Sequence, residues 1–236
     1  MSKIRLDKYL TDKGVGSRKQ VREIIKKGKI KVDNIVINKA NKIIDINNEE
    51  VTYNEEKIVY YEKIYLMLNK PQGVISAVSD NYHKTVIDLI PKKYYQSDIF
   101  PVGRLDKDTE GLLLLTNDGL FSHNLMSPKK HVEKAYLAEV DKCLIKNLKE
   151  EFENGVQLAD GYVCKKAFFE KKSDKECIIK IKEGKYHQIK RMLGVYGYGV
   201  VRLKRISIGS VLLDEKLELG EIRILNNKEI EALKNE

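Results

Sequence analysis

Apolar residues recur along this chain first with helical spacing and then in alternating or unbroken runs, and that change marks a small domain followed by a larger one. Leu6, Tyr9 and Leu10 fall on one face of a short helix over residues 5–13, which Gly14-Val15-Gly16 breaks. Ser17 and Gln20 have the spacing of a capping box. The helix they open sets Val21, Ile24 and Ile25 on one face and Arg18, Arg22 and Lys26 on another, with Gly28 placed to stop it. Residues 29–32 and 35–37, around Asp33-Asn34, read as a hairpin. Residues 47–62 are polar and punctuated and suit a last strand and a linker, giving domains over 1–60 and 61–236.

The larger domain opens with a strand over 65–70, closed by the turn Pro71-Gln72-Gly73 and followed by an extended stretch over 74–78. A short helix over 85–90 stops at Pro91. Four consecutive leucines, Leu112 to Leu115, bounded by turn residues, read as a fully buried strand over 112–116, with helix the alternative that periodicity alone leaves open. Then come a helix over 120–126 ending before Pro128, a strand over 133–140, and an amphipathic helix over 144–153 closed by Asn154-Gly155. Strands over 162–169 and 176–181, a helix over 187–193, strands over 200–213 and 217–225 and a helix over 228–233 complete the pattern. The body is α+β with strands in mixed order, without a βαβ repeat, a nucleotide loop, internal repeats or low-complexity segments.

Charge changes the picture more than composition does. The 236 residues are 42% hydrophobic and 33% charged, enough apolar content for a packed core, and the net charge is +9. Residues 1–30 hold ten Lys or Arg against three acids, so this stretch carries +7 and the remainder of the chain +2. No acid sits four residues from Arg18 or Arg22 on their helix, and Lys27, Lys29 and Lys31 extend the basic surface into the hairpin. Clustered positive charge of this kind points to a polyanion, and the lack of a strongly apolar helical face favours RNA or DNA over a membrane. No apolar run approaches the roughly 18 residues of a membrane span, and the first residues, Met1 to Arg5, lack the apolar core of a signal peptide. A cytoplasmic, monomeric protein with no membrane partner is expected. Cys143, Cys164 and Cys177 are odd in number and far apart, which suits reduced, buried thiols better than disulfides or a zinc site.

The candidate chemistry lies in Gly103-Arg-Leu-Asp-Lys-Asp-Thr-Glu-Gly111, a charged loop that runs directly into the buried strand. Carboxylates at such a mouth need partners. Asp106, Asp108 and Glu110 alternate as Mg²⁺ ligands can, but Arg104 and Lys107 stand inside the cluster and no further acid motif or His pair completes a cage. The other reading is one aspartate acting as nucleophile or base beside a cation, for which Lys190 and Arg191 in residues 183–192 are candidates. An amphipathic helix with solvent-facing charges explains that segment equally well by spacing alone.

Two resemblances sharpen these readings. Arg5-Leu-Asp-Lys-Tyr-Leu10, Ser17-Arg18 and Gly28-Lys-Ile-Lys-Val-Asp33 resemble the S4 (αL-type) RNA-binding domain over roughly residues 1–48. That likeness implies that Arg5, Lys8, Ser17, Arg18, Lys19 and Arg22 lie near RNA backbone. Asn69-Lys-Pro-Gln-Gly73, residues 103–119, Glu133-Lys-Ala-Tyr136 and Glu183-Gly-Lys-Tyr-His-Gln-Ile-Lys-Arg-Met192 resemble the RsuA-type ribosomal RNA pseudouridine synthases, in the family's order. The implied fold is an S4 domain plus a catalytic domain on a mixed, largely antiparallel sheet.

By this resemblance Asp106 falls on the catalytic aspartate, Tyr136 on the tyrosine that stacks against the target base, and Lys190 on the basic position that pairs with the catalytic carboxylate. Ile189 becomes a nearby apolar wall, and Arg104 and Arg191 lie near the RNA. Many relatives outside this branch carry Arg where Lys190 stands, and a lysine holds a carboxylate less rigidly than a bidentate fork. The chemistry implied, cleavage of the N-glycosidic bond and re-bonding through C5, needs no metal and no cofactor. Asp106 acts in it either as a nucleophile or by removing a ribose proton to give a glycal. Residues 183–192 and the short C-terminus look closer to the small-subunit enzyme than to its large-subunit relatives. The implied partner is therefore 16S ribosomal RNA, free or in a small-subunit assembly intermediate, and the implied target uridine 516. A 23S enzyme of the same family and a non-catalytic S4-type RNA-binding protein are the alternatives.

Overall fold

The computed structural model describes residues 3–127 and 130–236. The chain divides into two compact units, one comprising residues up to Ile64 together with Ile90–Ile99, the other Tyr65–Leu89 and Phe100–Glu236. Met1, Ser2 and Pro128, which entered the sequence reading, lie outside the described residues.

The smaller unit carries helices Leu6–Asp12 and Arg18–Lys26. The capping box forms: the Ser17 amide donates to Gln20 Oε1 at 2.8 Å and the Gln20 amide to Ser17 Oγ at 3.4 Å. A four-stranded sheet runs in the order Ile35–Val36, Ile30–Val32, Val51–Tyr53, Glu56–Ile58. Its two tight hairpins turn at Asp33-Asn34 and Asn54-Glu55, each with φ of 50° then 66°. Helices and sheet close over Leu6, Leu10, Val21, Ile25, Ile30 and Ile44, all fully buried. The spacing at the N-terminus gave no sign that Lys3–Arg5 would pair with Ile43–Asp45, as it does.

The sequence reading puts residues 61–64 and 90–99 in the larger domain, whereas here they pack with the smaller unit. The reason is polar. Gln96 is fully buried, its side chain accepting from the Tyr61 amide at 2.7 Å and donating to the Tyr61 carbonyl at 2.9 Å. The Ser97 amide donates to the Asp12 carbonyl at 2.8 Å. None of this leaves a trace in hydrophobic periodicity.

The larger unit is a mixed sheet. Its main path runs Phe168–Lys171, Glu176–Ile181, Lys134–Val140, Val200–Ile208, Thr109–Thr116, Tyr65–Lys70, Ile222–Ile224. Each pairing along this path is antiparallel except that of Thr109–Thr116 with Val200–Ile208, which is parallel. All eight residues of Thr109–Thr116 are buried, as expected of a strand covered on both faces. Leu112 and Leu114 join Met67, Phe121, Leu125 and Leu233 in one core cluster, while Leu113 and Leu115 are fully buried on the opposite face. Leu114→Ala is expected to cost about 2–5 kcal/mol through lost burial and the cavity left behind, read as a shift of the urea midpoint.

Gly111 makes the parallel pairing possible. It faces Arg205 across the two strands with φ of 99°, and a Cβ there would lie 2.3 Å from the Arg205 carbonyl oxygen.

Elsewhere local polar bonds override the apolar pattern. The strand expected over 162–169 begins only at Phe168, because Asp160 Oδ1 accepts from the Tyr162 amide at 3.1 Å and turns the chain. The helix expected over 144–153 is Lys149–Asn154, since the Leu144 amide is bonded to the Asp174 carbonyl at 2.7 Å. The helix over 85–90 contracts to a 3-10 turn, Ile87–Leu89. The run over 200–213 folds back at Gly209-Ser210 into the hairpin strand Val211–Leu212, and that over 217–225 shortens to Ile222–Ile224. Cys164 and Cys177 are buried thiols, but Cys143 is exposed. No helix among the described residues is long and apolar enough to cross a membrane.

Candidate active site

The loop before the buried strand is fixed from beneath by Lys70, which ends the neighbouring strand. Lys70 has no solvent exposure, and its ammonium donates to the carbonyls of Pro71, Asp106 and Thr109 at 3.0, 3.1 and 2.9 Å, with Lys107 at 3.4 Å. Burial pushes this group down to about 8, against the pull of Asp108, Asp106 and Glu110. The Thr109 amide also donates to the Asp106 carbonyl, at 3.1 Å. Ser76 clamps the residue before: its hydroxyl donates to the Leu105 carbonyl at 2.9 Å and accepts from the Leu105 amide at 3.0 Å. The backbone of Asp106 is thus held on both sides while its side chain stays free to reach a ligand.

That side chain lines a cleft of about 300 Å³, a size suited to a small ligand. Tyr136 rises into it from the middle of Lys134–Val140, and Ile181, Ile189 and Leu203 supply apolar walls. The Thr109 hydroxyl is buried at the cleft without a hydrogen-bond partner. His187 Nε2 stands 3.7 Å from Asp106 Oδ2. Its ring is stacked on the exposed ring of Tyr186, with centroids 3.9 Å apart and planes 16° from parallel. His187 takes the left-handed conformation, φ 48°, just before helix Gln188–Val195, and this aims the ring back at the loop. Gln188 secures the turn by accepting from the Lys185 amide at 3.0 Å and donating to Glu183 Oε1 at 2.7 Å.

The three alternating carboxylates part company. Asp106 faces the cleft, Asp108 takes an ion pair from Lys190 at 2.5 Å, and Glu110 is buried against Arg202, whose Nη2 lies 2.8 Å away. Among the described residues no three His, Cys, Asp or Glu side chains converge as metal donors. The bond from Lys190 holds the Asp108 carboxyl below its usual range. This differs from the expected pairing of Lys190 with Asp106: in the structure the cation at Asp106 is the imidazole of His187, when protonated, and Lys190 braces the next acid along. Arg104 and Ile189 line the cleft, whereas Arg191 is turned away in an ion pair with Asp160.

In the smaller unit, Ser17 is occupied as a helix cap, and Arg18 and Lys19 are exposed. Arg5 binds Asp7 through Nε and Nη2 at 3.0 and 2.8 Å, Lys8 binds Asp12 at 2.5 Å, and Arg22 Nε lies 3.7 Å from Asp7. The acid facing Arg22 comes from the other helix, which is why spacing along its own helix missed it. In each pair the cation is more than half exposed while its acid is largely buried, so the basic groups remain open to a polyanion.

His187 and Lys70 are the functional neighbours that residue patterns alone did not single out. Both stand inside motifs already quoted, and only the folded loop shows what they touch.

A base-sized cleft with a carboxylate on a fixed backbone beside the ring of Tyr136, in a chain that also bears a small basic unit, fits an enzyme that reworks a nucleobase in RNA. Comparison with known proteins makes this specific. The pattern of the RNA pseudouridylate synthase family matches residues 64–194, and that of the S4 domain residues 4–51. An uncharacterized RNA pseudouridine synthase of Bacillus subtilis is 44% identical over 98% of both chains. The ribosomal small subunit pseudouridine synthase A of Vibrio cholerae is 36% identical, covering 98% of this chain and 99% of its own. The ribosomal large subunit pseudouridine synthase B of Bacillus subtilis is also 36% identical, over 98% and 95%. A crystal structure of a pseudouridylate synthase superposes with a TM-score of 0.69 at 36% identity, covering 98% of this chain and 99% of that one. The chain belongs to the RsuA-type RNA pseudouridine synthases, with an N-terminal S4 domain, and is an isomerase.

Proposed function

We propose that this protein converts one uridine of ribosomal RNA to pseudouridine with Asp106 as its catalytic carboxylate, and that the target is uridine 516 of 16S ribosomal RNA. The observation that carries the reading is the meeting of Asp106, Tyr136 and the apolar walls Ile181, Ile189 and Leu203 in one cleft. A uridine inside folded RNA must first leave its stack, at a cost of a few kcal/mol. Stacking on the Tyr136 ring returns about 1–3 kcal/mol, and the apolar walls exclude water from the base. Asp106 then works on the nucleotide, either adding to it as a nucleophile or taking a ribose proton to leave a glycal. In both routes the N1–C1′ bond breaks, the uracil turns within the pocket and C5 bonds to C1′. That bond displaces the aspartate in the first route and accompanies return of the ribose proton in the second. C5 then loses its proton and N1 takes one up. The atoms of product and substrate are the same, so no co-reactant is consumed.

Relatives of near-equal identity act, by their names, on the small and on the large subunit. The preference for 16S rests on the segment 183–192, which builds the His187 turn. A cytoplasmic monomer is proposed with it. Mapping pseudouridines in ribosomal RNA from a deletion strain tests the target. Loss at uridine 516 alone supports it. An intact site 516 with a missing 23S pseudouridine transfers the activity to the large subunit. Offering the purified protein naked 16S RNA and small-subunit assembly particles identifies the form modified.

Tyr136→Leu keeps an apolar wall but removes the flat ring, so kcat/KM is expected to fall about 10–100-fold with little change in thermal stability. Release of tritium from [5-³H]uridine RNA measures it, and an unchanged rate would remove Tyr136 from the site.

A further inference from the structure

A second cavity of about 600 Å³ adjoins the cleft and shares Arg104, Tyr136, Gly184 and Lys185 with it. The other cations on its walls are Lys134, Lys165, Lys182 and Arg205. Its one acid among the described residues, Glu183, is already engaged by neutral donors: the Tyr162 hydroxyl and Lys165 amide, both at 2.8 Å, and Gln188 Nε2 at 2.7 Å.

Lys134 and Arg205 set this cavity apart from a solvated basic surface. Lys134 lies two residues before Tyr136 on one strand and Arg205 is the register partner of Tyr136 on the next, so all three side chains share one face of the sheet. Lys134 is 8% exposed and Arg205 2% exposed. The Lys134 ammonium has one bond among the described residues, to the Val132 carbonyl at 2.7 Å. Arg205 donates through Nε to the Leu112 carbonyl at 2.7 Å, and its Nη2 is buried without any partner. Among the described residues no carboxylate is paired with either. Burial, reinforced by the charge of Arg205, pushes Lys134 down to about 8. Two adjacent buried cations without a counter-charge are costly unless an anion completes them.

A nucleotide cannot enter the Asp106 cleft without carrying its own phosphodiester groups along, and Tyr136 forms a wall of both cavities. We propose that the second cavity is a phosphate subsite that binds a backbone phosphate flanking the flipped nucleotide, with Lys134 and Arg205 as its buried ligands and Lys182 and Lys185 at its rim. This rests on the uridine-isomerase reading. It adds to that reading how the enzyme drives extrusion: phosphate held on one side of Tyr136 pulls the base to the other.

The test uses a synthetic RNA hairpin spanning the mapped target, with one or the other flanking phosphate replaced by a neutral methylphosphonate. Wild-type protein is expected to lose about ten-fold or more in kcat/KM with one of the two neutral linkages, as befits a charged hydrogen bond. Lys134→Met is expected to lose as much on the fully charged hairpin and nothing further on the neutral one. Equal turnover of all three hairpins by wild type would overturn the proposal. So would a Lys134→Met protein that stays fully sensitive to the neutral linkage, since the phosphate is then read elsewhere. If inorganic phosphate raises the thermal midpoint of wild type but not of Lys134→Met while the neutral linkages have no effect, the cavity serves free phosphate and the backbone assignment fails. Should Lys134→Met not fold, Arg205→Lys takes its place in the comparison. No pseudouridine from wild type on the charged hairpin would instead sink the isomerase reading itself.

Discussion

Asp106→Asn is expected to lower pseudouridine formation at least about 10⁴-fold while leaving folding and RNA affinity close to wild type. The asymmetry follows from how the residue is held. Its backbone, not its side chain, takes the bonds from Lys70 and Thr109, so the loop keeps its course when the carboxylate becomes an amide. The side chain is about one-third exposed and faces the His187 imidazole at 3.7 Å, so screening by solvent keeps the stability at stake small. What is lost is chemical: an amide neither attacks C1′ nor takes a ribose proton. Tritium release from [5-³H]uridine RNA by wild type alone, with matched circular dichroism and RNA-binding curves, is the expected outcome. Release by Asp106→Asn within ten-fold of wild type would remove the aspartate from the mechanism.

Lys70→Met should be the most damaging single change to the fold of the loop, at about 3–5 kcal/mol. Met matches the length of the aliphatic stem but leaves up to four carbonyls beneath the loop without their donor, and an unsatisfied buried acceptor costs about 1–3 kcal/mol. Activity should fall with stability, because the carbonyl of Asp106 is among the four. Lys70 sits near 8 in the folded protein against 10.5 ordinarily, so between these values the unfolded chain holds the proton that the folded one has released. Stability linked to this group therefore rises with pH across that window. The gap between wild type and Lys70→Met is expected to widen from pH 8 towards pH 10.5 in urea titrations. A gap that narrows instead would show that the ammonium is the form the fold favours.

The contrast between these two residues shows what hydrophobic pattern and charge can reveal. Asp106 was legible because a carboxylate between glycines, at the mouth of four leucines, is an uncommon use of sequence. The strand itself was legible because burial on both faces demands an unbroken apolar run. Tyr136 and Ile189 came with the family resemblance, and the structure places both at the cleft. Lys70 looked like the end of a strand before a turn, since a lysine that bonds only carbonyls has no partner visible in the sequence. The Lys190 pairing went to Asp108 because two acids two residues apart compete for one ammonium, and only the path of the loop decides between them. Residues 90–99 lie within the stretch that matches the synthase family yet pack with the smaller unit, because one buried glutamine outweighs the apolar spacing around it.

The parallel contact between Thr109–Thr116 and Val200–Ile208 brings Leu203 against Thr109, joining stretches of chain far apart in sequence. Leu203 is also a wall of the cleft. A nascent chain still on the ribosome therefore has its aspartate and tyrosine long before it has a pocket. No fragment ending before Val200 contains all the walls, so the cleft is complete only once that strand has been made.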